Sequence, residues 1–189
     1  MPADSRRLSI LTTREIDDLY GLPRFAEDDR RLYFDLSPAE RNAVGAVHTA
    51  SSAIHLISQI GYFKAKQQFF VYARETVLDD LAYIRRRYFP ERDLDTIKPL
   101  SKPTRLEQQQ IILRLFDFRL CDIEAKQDVE QKAQRIAMLS TQPIYILRET
   151  LNYLTNQRIV APGYTYLQDM VGEWSPASAD ASRTCWIKP

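Results

Sequence analysis

Residues 102–110 read Lys-Pro-Thr-Arg-Leu-Glu-Gln-Gln-Gln and run into an apolar stretch, which gathers cations and amides at the opening of a helix. Ser101 is placed to cap that helix. Pro103 sets a helical φ where no donor is lost, and Leu106, Ile111, Ile112, Leu115 and Phe116 recur as an apolar stripe. The face left to solvent is then Lys102, Thr104, Arg105, Gln108 and Gln109. Lysine and arginine neutralise phosphate and glutamine can pair with adenine in the major groove, so such a face suits duplex DNA. A second helix, begun by Ser140-Thr141-Gln142-Pro143, presents Tyr145, Arg148, Glu149, Asn152 and Gln157 outside a stripe of Ile144, Leu147, Leu151 and Leu154. It fits a recognition helix, with Arg148 matched to guanine and Asn152 to adenine.

Other polar constellations point less sharply. Arg85-Arg86-Arg87 can reach a phosphate backbone, but three consecutive arginines fan round most of a helix, and Asp79, Asp80 and Glu91 are available as partners. His48, Ser51, Ser52, His55 and Gln59 share one side of a helix, small enough for close approach to a groove or to another helix. The pairs Asp17-Asp18 and Asp79-Asp80 invite a metal or acid–base reading, yet adjacent helix residues point about 100° apart, so surface charges are expected. His48 and His55 lack the acidic or cysteine partners of a zinc site, and neither a nucleophile signature nor a phosphate-binding glycine loop occurs. No metal and no cofactor are expected.

These residues must be carried by helices. Five glycines in 189 residues and few alternating runs argue for an all-α chain with short turns. Thr12 and Thr13 cap a short helix through Ile16 and Leu19 to Gly21, and a second spans about Ala26 to Phe34. Ser37-Pro38-Ala39-Glu40 has the form of a capping box. A helix from about Val47, with Ala50, Ile54, Ile57 and Ile60 inward, should end at Gly61. The aromatic stretch Tyr62 to Tyr72 reads as a connection whose rings are core, and Glu75 to Tyr88 as a helix stopped by Pro90. Helices follow at about 103–116, 122–139 and 142–156, with a short one capped by Thr165 and running through Met170. The polar segment 91–101 is the expected linker between two helical modules of helix-turn-helix-like character, 1–90 and 102–172. Residues 173–189 are small and polar without periodicity and are expected to be disordered.

Composition narrows the classes. An apolar content of 44% supplies a core, and a net charge of +1 means that attraction to nucleic acid must be local, as in the net positive stretch from Arg85 to Arg105. No apolar run approaches a membrane span and the first residues lack a signal-peptide core, so the expected compartment is the cytoplasm. Cys121 and Cys185 make neither a metal pattern nor a disulfide framework.

Several blocks, in order, carry a resemblance. They are Arg6-Arg7-Leu8-Ser9-Ile10-Leu11, Ile60-Gly61-Tyr62-Phe63-Lys64-Ala65-Lys66, Arg87-Tyr88-Phe89-Pro90, Ser101-Lys102-Pro103-Thr104-Arg105 and Gln157-Arg158-Ile159-Val160-Ala161-Pro162-Gly163-Tyr164. Over about residues 5–172 the chain resembles the N-terminal region of the replicative, cointegrate-forming bacterial transposases of the Tn-three family. The resemblance implies tandem helical domains that bind double-stranded DNA at the transposon's terminal inverted repeats. It also implies no catalysis here, because the family's Asp-Asp-Glu domain lies further along and is absent. The family's sequence continues as charged helix where this one turns to Glu173-Trp174-Ser175, the pattern of a frameshifted or truncated gene. On this reading Lys64, Lys66, Arg87, Lys102, Thr104, Arg105 and Arg158 contact phosphates or set position, while Gln108, Gln109, Arg148 and Asn152 read bases. The alternative is a helical protein that regulates full-length transposase through protein contacts, motivated by the near-neutral charge and the aromatic Tyr62 to Tyr72 stretch.

Overall fold

The computed structural model describes residues 8–93 and 97–174. Among these the chain is all-α, with one isolated bridge and no strand. Its helices are α1 (Thr13–Tyr20), α2 (Glu27–Phe34), α3 (Pro38–Gly45), α4 (Ala50–Lys66), α5 (Leu78–Tyr88, entered through a 3₁₀ turn at Arg74–Val77), α6 (Lys102–Phe116), α7 (Ile123–Ala137), α8 (Pro143–Asn156) and α9 (Tyr164–Trp174). Caps form at Thr12, Ser37 and Ser101 as the sequence places them, whereas Thr165 lies inside α9, whose first turn closes on the Gly163 carbonyl, and Gln142 before α8 makes no side-chain cap bond. Thr12 and Ser37 close capping boxes with Glu15 and Glu40, and Ser101 accepts from the Thr104 amide.

The chain divides into two compact units, Leu22–Phe118 and Met1–Gly21 with Arg119–Pro189. In the first, α2, α3, α5 and α6 pack on α4. This helix is buried on nearly every side, from Ala53 through Phe63, because its sequence is apolar or small all round. Its own Tyr62 and Phe63, with Phe34 from α2, are the largest fully buried side chains. In the second unit α7, α8 and α9 pack on one another around Val129, Ala133, Ile146, Leu147, Leu154 and Leu167. The N-terminal segment joins this core. Leu11 is buried in it, the Leu11 amide donates to the Tyr164 hydroxyl at 3.1 Å, and Gln168 donates to the Leu8 carbonyl at 2.9 Å.

Two expectations are revised by packing. The helix beginning near Val47 does not stop at Gly61 but runs five residues further, to Lys66. Gly61 serves a different purpose: a Cβ there would overlap the Phe34 ring, so glycine permits α2 to approach α4 closely. The described residues of the segment 91–101, expected to separate modules, fall within the first unit. Ile97 is 4% exposed, the Lys98 amide donates to the Ser51 hydroxyl at 3.0 Å, and that hydroxyl donates back to the Lys98 carbonyl at 3.1 Å. Accordingly α6 belongs with α4, and the division between units falls after Phe118. Of the expected disordered tail, Glu173 and Trp174 finish α9; the remainder lies outside the described residues.

Candidate nucleic-acid interface

The polar face of α4 is the first feature resolved by tertiary structure. Ser51 holds Lys98 as described. Ser52 accepts from Gln108 Nε2 through both its carbonyl, at 2.8 Å, and its hydroxyl, at 2.9 Å. His55 bonds the Tyr72 hydroxyl through Nδ1 at 3.2 Å and the Lys98 carbonyl through Nε2 at 3.1 Å. Gln59 donates to the Phe70 carbonyl at 2.7 Å. The row is a packing seam that receives α6, the 97–98 segment and the 70–72 loop. Burial pushes the His55 pKa below its ordinary value, because the charged ring would lose hydration that two hydrogen bonds cannot replace.

The seam changes the expected α6 face. Gln108 is 3% exposed and serves as an inter-helix clamp, not as a base reader. Leu106, expected in the apolar stripe, is 51% exposed. The helix is therefore rotated from the phase that counting apolar residues gives: Gln108, Ile112 and Leu113 are its buried positions. Lys102 stays exposed, and Arg105 and Gln109 are half-buried with no hydrogen-bond or ion-pair partner for their side chains among the described residues. Thr104 is tied to its own cap, its hydroxyl 2.8 Å from that of Ser101.

Other expected cations are committed internally. Lys64 Nζ donates to the Asp35 carbonyl at 2.7 Å and to Glu40 Oε2 at 2.8 Å, and Glu40 is buried, so Lys64 neutralises a carboxylate of its own unit. Lys66 is half-buried at the end of α4. Arg87 meets Asp35 at 2.8 Å and lies over the Tyr88 ring, and the hydrogen bond from Arg87 holds the Asp35 carboxyl below the usual range. Arg86 faces Glu27 at 3.4 Å, and Arg85 donates to the Arg92 carbonyl at 3.0 Å. The three arginines fan as their spacing requires, but their partners are mostly ones the sequence did not suggest. Asp80 likewise is no surface charge: it is buried and accepts from Arg30 Nε and the Tyr62 hydroxyl, each at 2.8 Å, while Asp79 stays exposed.

In the second unit α8 keeps the face expected of it. Leu147 and Leu154 are buried, Ile144 and Leu151 half-buried, and Ile146 and Thr150 widen the inner face. Tyr145 is 44% exposed, and the Arg148 side chain is 67% exposed with Glu15 only at 3.8 Å. Asn152 is exposed and donates to Glu149 at 3.3 Å. These three side chains stand at i, i+3 and i+7, one strip along the helix. Arg158 follows in a left-handed conformation, φ 52°, and a two-bond backbone clip sets Arg119 beside it: the Arg119 amide donates to the Arg158 carbonyl and the Val160 amide to the Arg119 carbonyl, both at 2.9 Å. Sequence spacing gave no sign of Arg119, 39 positions away. Among the described residues no cluster of His, Cys, Asp or Glu could hold a metal ion, and no helix is long and apolar enough to cross a membrane.

Residues 10–174 match the family model described as a domain of unknown function, DUF4158. No curated protein and no solved structure matches the chain.

Proposed function

The chain belongs to the DUF4158 family, and from that premise we propose that it is a non-catalytic DNA-binding protein of transposase type, engaging double-stranded DNA at the terminal inverted repeats of a transposon. The observation that carries the reading is the outer strip of α8. A helix packed by one face between α7 and α9 exposes an aromatic, a guanidinium and an amide at i, i+3 and i+7, with only long, weak partners. Arginine and asparagine are the side chains that read guanine and adenine edges, and loosely held ones can be surrendered to a base at low cost. In the other unit Lys102 and Arg105 open α6 where the positive end of the helix dipole already favours phosphate. Backbone hydrogen bonds set Arg119, whose side chain meets Asp128 at 3.9 Å, next to Arg158, bringing two further basic residues near the end of α8. The resemblance of the ordered blocks to Tn-three transposases supplies the choice of inverted repeat as target. Lys64, Arg87 and Gln108 have internal work and are left out of this surface.

A mobility-shift titration with the inverted repeat flanking the gene, against scrambled duplex of equal length, tests the proposal. Preferential binding to the repeat is expected, and Arg148→Ala should erase most of that preference, about 1–3 kcal/mol for a bidentate base contact. Equal affinity for both duplexes would reject sequence recognition. The rival reading, a regulator acting by protein contacts, loses one of its two motives, the aromatic stretch. Tyr62 and Phe63 are wholly buried, and Phe70 and Tyr72 pack edge-on against Tyr62.

A further inference from the structure

We propose that the cleft between the 67–73 loop and α6 is a binding site for one unpaired nucleotide of a DNA strand, an inference that rests on the DNA-binding reading above. The cleft exists because Gln59 grips the Phe70 backbone, donating to its carbonyl at 2.7 Å and accepting from its amide at 3.4 Å, and so holds the loop away from α6. Its jaws are two apolar side chains that folding leaves in water, Val71 at 80% and Leu106 at 51% exposure, one from each wall. Phe70 and Ile112 lie deeper, and Lys102, Arg105 and Gln109 stand round it. The volume is about 170 Å³. An apolar cavity of about 150 Å³ accepts a benzene ring, so the space suits the ring of one base.

The chemistry of the lining selects the occupant. Apolar jaws across a narrow gap suit a flat, weakly hydrated face, and every nucleobase has one. Gln109 supplies a donor and an acceptor to the base edge. Lys102 and Arg105 supply charge for the flanking phosphates, and no acidic side chain lines this compartment. Arg105 also borders the adjoining compartment of about 440 Å³, whose lining includes Arg74 and Glu75, so the strand has a continuation that crosses Arg105. A base within an intact duplex cannot enter, because its faces are stacked and its edge is paired.

The test uses the full chain with a hairpin duplex that ends either blunt or in a short single-stranded overhang, each polarity tried, with a fluorescent adenine analogue in the overhang. Expected are roughly tenfold tighter binding to the overhang of one polarity, the scale of a single base contact, and a fluorescence change on binding. Val71→Ala with Leu106→Ala should remove the overhang preference and the fluorescence change while blunt-duplex affinity holds. Both side chains are exposed, so the variant should keep the wild-type circular dichroism and melting. Equal affinity for blunt and overhanging DNA with silent fluorescence would overturn the cleft proposal and leave duplex recognition standing. Loss of blunt-duplex binding altogether would reject the duplex reading; an overhang bound through Val71 and Leu106 would then still support the cleft. Displacement of the overhang by an acidic peptide but not by single-stranded DNA would assign the cleft to a protein partner and overturn the nucleotide.

Discussion

Arg105 and Gln108 are three residues apart on α6 and of similar polarity, yet they have opposite fates. Gln108 turns inward to Ser52, and Arg105 keeps a guanidinium without a partner among the described residues. If Arg105 makes one phosphate contact, Arg105→Ala should weaken binding to specific and nonspecific duplex alike and lower the salt slope by about one unit, with the melting temperature unchanged. An unaltered slope in a titration across salt concentrations would remove Arg105 from the surface. His55 offers a residue-level test of stability. Its folded pKa lies below the ordinary value of about 6.5, so between that value and the folded one the unfolded chain binds a proton that the folded chain refuses. Stability should therefore be complete above pH about 6.5 and fall as pH drops through the window beneath it. Urea unfolding at several pH values checks the sign: a His55→Gln variant should show a flatter decline than wild type, and parallel curves would refute the assignment.

At the scale of elements, α4 determines the first unit. Its burial on nearly all sides lets α2 lie against Gly61 and lets α6 lie against Ser52. Gly61→Ala should then destabilise by about 1–3 kcal/mol, because overpacking against the Phe34 ring outweighs the better helix propensity of alanine, which is worth about 1 kcal/mol. Gly172 in α9 is the control: a Cβ there meets nothing, so Gly172→Ala should stabilise by up to about 1 kcal/mol. Denaturant midpoints of the two variants that moved the same way would contradict this account of Gly61. The same close packing explains why Gly61 was legible as special but not as interior. A glycine near the end of an apolar run reads as a C-cap, and only the position of α2 shows otherwise.

At the scale of the molecule, the chain leaves one unit after Gly21 and returns to it at Arg119. A fragment of residues 22–118 should melt cooperatively alone. One of 119–174 should gain cooperativity when a peptide of residues 8–21 is added or fused, since Leu11 completes its core and Tyr164 and Gln168 bond that segment. Equal melting of 119–174 with and without the peptide would reject this division. The all-α class, most helix limits and the outer face of α8 were determined by sequence alone, because caps, prolines and helical periodicity act over one to four residues, the range at which side chains speak directly to backbone. What the tertiary structure decided depends on partners far along the chain. It turned Gln108 inward and Leu106 outward, bound Lys64 to Glu40 and Arg87 to Asp35, placed Asp80 under Arg30, made the polar row of α4 a seam, and set Arg119 beside Arg158. A cation looks the same in sequence whether it faces phosphate or a carboxylate 52 residues away, as Arg87 and Asp35 are; only the fold shows which charge it meets.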